Sequence, residues 1–109
     1  MENNWWIMEN HYFVRTKFKL ALNIDTDGFD MSTDDWQVSI RCGSKETVCN
    51  KEQNSFCDED GQWYLLVDSA VLGAGQYVMV TDIDVPDTDF PDGRRHETYK
   101  QVLFSVNAV

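Results

Sequence analysis

From His11 to Asp25 the chain reads HYFVRTKFKLALNID. Tyr12, Val14, Thr16, Phe18, Leu20, Leu22 and Ile24 take every second position, and Arg15, Lys17, Lys19 and Asn23 fall between them. That period of two matches the pleat of a β-strand with one dry and one wet face. A helix, at about 3.6 residues per turn, would scatter the same apolar set around its axis. At about 3.3 Å per residue the run is long enough to cross a whole sandwich and to bend partway along it. Trp36 to Cys42 repeats the pattern, with Trp36, Val38, Ile40 and Cys42 alternating with Gln37, Ser39 and Arg41.

The stretch Gly61 to Gly93 carries the same logic further. Apolar and β-branched residues fill Gln62 to Asp68 and Gln76 to Asp84, while Leu72-Gly73-Ala74-Gly75 falls between them. This predicts a β-hairpin with a tight turn, leaving through an acidic corner marked by Pro86 and Pro91. A short strand is expected over Glu46 to Asn50, after the turn at Gly43, and the polar run KEQNSFCDEDG suits an exposed loop. His96 to Val106 reads as the last strand; Leu103 breaks its alternation, which predicts a strand that is central or covered on both faces near its end. No segment holds a helical period over three turns, so helix is limited to one turn near Met31 to Asp35 or Ser69 to Leu72. The expected fold is all-β: about six or seven strands in an antiparallel sandwich or partly open barrel.

With 109 residues the chain makes one domain, taken as 11–109 behind an N-terminal arm at 1–10, and 42% apolar residues give it a core to bury. The arm carries Trp5 and Trp6 side by side. Such a pair either plugs the domain's own core or reaches a neighbouring subunit, because each ring buries a large area. The net charge is −10 and the nine Lys and Arg form no basic stripe, which argues against a nucleic-acid partner. Neither a run of about 18 apolar residues nor a basic, apolar leader is found, so no membrane span and no secretion signal are expected. Cys42, Cys49 and Cys57 are odd in number and form no CxxC pair, so free thiols are expected in place of a disulfide or zinc site.

Asp82, Asp84, Asp87, Asp89 and Asp92, with Gly93 and Glu97, suggest a calcium loop. The spacing departs from the EF-hand pattern, and the expectation is a solvated turn whose aspartates cap backbone N–H groups. The same carboxylates are too local for a glycosidase pair flanking a cleft. His11 and His96 sit in no nucleophile motif, and Gly73-x-Gly75 lacks the third glycine and the helix of a phosphate cradle. The sequence therefore predicts no catalytic residue, no metal ligand and no cofactor. Arg94 and Arg95 either neutralise the acidic corner locally or pair with a carboxylate on a neighbouring copy.

Five segments carry a family resemblance in their order: Lys19 to Thr26, Phe29 to Ile40, Asp60 to Ser69, Leu72 to Gly75, and Asp87 to Arg94. In these the chain resembles a group of short structural proteins of tailed phages and prophages of gut Bacteroidetes, over roughly residues 13 to 106. The resemblance implies an immunoglobulin-like β-sandwich used at the base of baseplate, tail-fibre or head-fibre proteins. It further implies a non-catalytic adaptor or decoration module whose partners are other virion structural proteins. The expected setting is the virion, with host cytoplasm before assembly, and a homo-oligomer in the particle. Expected partner-binding residues are Trp5 and Trp6 on the arm and Asp87, Asp89, Phe90, Asp92, Arg94 and Arg95 at the corner. The alternative is a cell-surface domain that binds carbohydrate or depends on calcium. An enzyme would need Asp84, Asp87 or Asp89 for activity.

Overall fold

The computed structural model describes residues 12–108. Among them are eight strands and one helical turn: β1 (Tyr12–Phe13), β2 (Lys17–Leu22), β3 (Trp36–Cys42), β4 (Lys45–Asn50), β5 (Ser55–Cys57), β6 (Trp63–Asp68), α1 (Ser69–Leu72), β7 (Gly75–Pro86) and β8 (Arg94–Asn107). The Trp5–Trp6 arm and His11 lie outside the described residues. The fold is nearly all β. One sheet has the order β1-β8-β7-β3-β4 and the other β2-β6-β5, and every pairing is antiparallel except that of β1 beside β8.

The core lies between the sheets and is built by alternation. Val38, Ile40 and Leu65 are fully buried, and Leu22, Trp36, Val67, Ile83 and Val85 nearly so. Each such side chain contributes about 1.5–3 kcal/mol by leaving water. The aromatic members interlock: Trp36 meets Trp63 edge-on at 5.3 Å, and Phe18 lies 4.7 Å from Phe104 between ring centroids.

Four expectations are corrected. The strand count is eight among the described residues, above the expected six or seven. One added strand arises because the long first run is split: Arg15 adopts φ 83°, and the Thr16 N–H bonds Phe13 O. The chain thereby leaves the five-stranded sheet and enters the three-stranded one, with Phe18 and Leu22 still on the dry parity. The expected hairpin over Gln62 to Asp84 does not form. β6 pairs with β2 and β5, whereas β7 pairs with β3 and β8, so the connection is an arch between sheets. Several bonds hold the arch. Asp68 accepts from the Ala70 N–H, Ser69 Oγ donates to Thr16 O at 2.7 Å, and the buried Tyr77 hydroxyl donates to Gly73 O at 2.7 Å. Finally, the polar run after Asn50 contains β5, where Phe56 stacks on Tyr64.

The hairpin of the fold is β7–β8, and the acidic corner is its tip: Pro86 pairs with Arg94, and the Asp87 N–H bonds Gly93 O. β8 is flanked on both edges only where Val106 and Asn107 meet β1; most of its length is exposed, and Leu103 and Phe104 are half-buried. The helical turn expected near Ser69 is present, while Asp30 to Asp34 forms a turn closed by the Asp34 N–H on Asp30 O. Cys42 and Cys49 are buried and free and Cys57 is exposed and free. Val38 pairs with Cys49 and Lys45 with Cys42, so four positions, or about 13 Å at strand rise, separate the two buried thiols. That exceeds disulfide reach. Among the described residues no helix is long and apolar enough to cross a membrane.

Candidate functional site

Three connections come together at one end of the sandwich. β2 ends there at Leu22 and β3 begins there at Trp36, bracketing the 23–35 loop; Trp63 pairs with Leu22, which brings the β5–β6 turn; and Trp36 pairs with Ile83, just below the β7–β8 tip. A cleft of about 270 Å³ opens among Asp35, Gln37, Asn50, Asp82, Asp84 and His96. A second, of about 260 Å³, lies between Thr33, Asp34 and Asp35 on one side and Asp84, Pro86 and Arg94 on the other.

Five aspartates at this end hold the backbone. Asp30 Oδ1 accepts the Ser32 N–H at 2.9 Å and the Ser32 hydroxyl at 2.7 Å, and Asp34 Oδ2 accepts the Asp30 N–H. Asp58 Oδ1 accepts from Asp60 and Gln62, Asp87 Oδ1 from Asp89, and Asp92 Oδ1 from Arg94. The corner thus has the capped-turn geometry that its composition suggested. At Asp30 and Asp87 such bonds also favour the ionised form. The Ser32 hydroxyl and N–H hold Asp30 below the usual carboxylate range, and the Asp89 N–H, with Arg95 adding to it, does the same to Asp87.

Cross-strand register places the remaining charges. On one face of β7–β8, Asp84 stands opposite His96 and Asp82 opposite Thr98. His96 Nδ1 lies 3.0 Å from Asp84 Oδ1, His96 Nε2 lies 3.1 Å from Thr98 Oγ1, and the Thr98 hydroxyl donates to Asp82 at 2.7 Å. Thr98 has one proton and gives it to Asp82, so it accepts from Nε2–H, while a carboxylate at Nδ1 accepts as well. The arrangement satisfies both ring nitrogens when each carries a proton, and so favours the imidazolium. Accordingly the His96 pKa is raised, first through the hydrogen bond to Asp84.

On the other face Arg95 bridges Asp87 and Glu97, with Nε 2.6 Å from Glu97 Oε2. The Tyr99 hydroxyl donates to Glu97 and meets Thr26 Oγ1 at 3.2 Å, tying β8 to the 23–35 loop. Tyr99 first, then Arg95, lowers the Glu97 pKa.

Of the corner residues singled out from sequence, Asp89, Phe90, Asp92 and Arg94 are exposed, whereas Asp87 and Arg95 are half-buried in their mutual ion pair. Of the two roles open to the arginines, Arg95 takes local neutralisation and Arg94 walls the second cleft. Sequence reasoning missed Asp34, Asp35 and the Asp82–Asp84–His96–Thr98 group. The latter is legible only once the hairpin register is known, since two residues separate along β8 what twelve or more separate from β7. Among the described residues no three His, Cys, Asp or Glu side chains converge as metal ligands. Elsewhere, the outer face of the three-stranded sheet exposes Phe56 and Leu66 beside Tyr64, with Lys19 Nζ 5.1 Å above the Phe56 ring and 4.6 Å above the Tyr64 ring.

Compared with known proteins, the chain matches no family model, no curated protein and no solved structure.

Proposed function

We propose that this chain is a non-catalytic assembly module of immunoglobulin-like architecture, acting as an adaptor or decoration subunit that binds other virion structural proteins of a tailed phage. The observation that carries assembly over catalysis is at the loop end. Asp87 and Asp92 there are engaged by backbone N–H groups, Asp87 also by Arg95, and Asp84 by His96, while Phe90 stays 43% exposed on the tip. An exposed aromatic with a polar surround is the material of a protein contact.

The strand order supports the finer fold. Lettered A′, B, C, C′, D, E, F and G in chain order, β1 to β8 fall into sheets A′GFCC′ and BED. Tyr77, at the start of the F strand with its hydroxyl on Gly73 O, stands where such sandwiches carry a tyrosine corner. The virion setting rests on the resemblance of Phe29 to Ile40 and Asp87 to Arg94, and with it the location in particles and in host cytoplasm before assembly. Gradient-purified particles of the encoding phage are expected to contain the chain at a fixed copy number. Particles lacking it would overturn the reading.

One observation favours a second reading, carbohydrate binding: the Phe56 and Tyr64 rings lie 28° from parallel on an open face. Saturable quenching of aromatic fluorescence by soluble glycans, lost in Phe56→Ala, would establish it. The assembly reading expects no saturation.

A further inference from the structure

Charge is sorted along the strands. At the loop end, residues 25–35 hold Asp25, Asp27, Asp30, Asp34 and Asp35 with no Lys or Arg; the β5–β6 turn adds Asp58, Glu59 and Asp60; and the tip sets Asp87, Asp89 and Asp92 against Arg94 and Arg95. The opposite end is fixed by Gly75 and Tyr12, both of which pair with Val106. There, where β1 passes to β2 and β3 turns into β4, the chain carries Arg15, Lys17, Arg41 and Lys45 against Glu46 and Asp68. Asp68 is turned onto the backbone of α1, and Glu46 faces Arg41 at 3.5 Å. Each end also exposes apolar surface: Phe90 at the acidic end, Phe13 and Val71 at the basic one.

We propose that the basic end, with Phe13 and Val71 exposed on it, is a docking surface for the acidic loop end of a second copy of this chain, so that copies associate head to tail. The inference deepens the assembly reading and rests on it. Charge complementarity names the occupant: like ends repel, while unlike ends attract and bring Phe90 towards Phe13 and Val71. A heterologous contact of this kind leaves one free end of each sort, so association does not stop at two copies unless a ring closes. An antiparallel pairing of flanks would also match charge, but it closes at a dimer.

Sedimentation velocity on the full chain, from micromolar to millimolar protein, tests this. Species beyond dimer are expected to grow with concentration near about 0.01 M salt and to disperse near about 1 M, as the screening length falls from about 30 Å to about 3 Å. Lys17→Glu with Lys45→Glu at one end, or Asp27→Lys with Asp89→Lys at the other, is expected to weaken self-association by about tenfold or more while circular dichroism shows an unchanged fold. Mixing the two double variants restores assembly, because each then presents an end complementary to the other. A wild-type chain that stays monomeric, growth that ends at a dimer, or association indifferent to both pairs of substitutions overturns the proposal. A chain that joins particles yet stays monomeric in solution overturns this inference alone and leaves the assembly reading standing.

Discussion

His96 is the loop-end side chain whose ordinary titration falls nearest physiological pH, and its neighbours raise it. The Asp84 and Asp82 carboxylates and the Thr98 hydroxyl all favour the imidazolium, and the largest cause is the Asp84 hydrogen bond. A histidine whose folded pKa lies above its unfolded value of about 6.5 adds stability that is complete below about pH 6.5 and is lost as pH rises through the folded value. The His96 ring protons, assigned by their loss in His96→Gln, are therefore expected to titrate above 6.5 by NMR. Asp84→Asn should bring the midpoint back towards the ordinary value. A midpoint at or below that value in the wild type would show that the ring is not held as the hydrogen bonds indicate. Arg95 makes the complementary point: flanked by Asp87 and Glu97, it is committed within its own strand pair and has little left to offer a partner.

At the scale of elements, the close approach of the β7 start to the β3 end has a measurable consequence. Gly75 sits at φ +141°, and a Cβ there would lie 2.8 Å from Cys42 Sγ, inside van der Waals contact. Gly75→Ala should thus cost about 1–3 kcal/mol in denaturant unfolding, part from backbone strain and part from overlap with sulfur. In a Cys42→Ala background the overlap is gone, so the penalty should shrink; an equal penalty in both backgrounds would show that sulfur plays no part. The same region shows where the sequence stops being legible. Alternation located β2 and β3, because burial on one side of a pleat leaves a period-two trace, and apolar, β-branched runs parted by glycines located β6 and β7. Neither signal could say that β6 and β7 belong to different sheets. Leu72-Gly73-Ala74-Gly75 looks alike whether the chain folds back beside itself or arches over the core, and the deciding contacts, Ser69 to Thr16 and Tyr77 to Gly73, join residues chosen by tertiary packing. β5 escaped notice because three residues are too few to show a period. In the candidate site the turn aspartates were legible from local Asx chemistry, whereas Asp82 and Asp84 beside His96 required the register of a 14-residue strand.

For the whole molecule the segregation of charge bears on stability as well as on partners. A net charge of −10 raises the energy of any compact state, and the cost is concentrated where the 23–35 loop, the β5–β6 turn and the β7–β8 tip crowd carboxylates together. The ion pairs at that end relieve only part of it, since Asp27 and Asp89 are exposed and have no basic partner within salt-bridge distance among the described residues. Neutralising both as Asp27→Asn and Asp89→Asn should raise the melting temperature by about 1–3 °C in low salt, the scale of surface-charge effects on a domain this size. The gain should vanish near about 1 M salt, where screening already removes the repulsion. Neutralising Lys17 and Lys45 at the opposite end should give no such gain, because those charges offset the excess. Dilute protein, below the range where copies associate, keeps this measurement apart from self-assembly. If both ends responded alike, the axial sorting of charge would have no energetic weight in the monomer, and the acidic end would be an ordinary solvated surface.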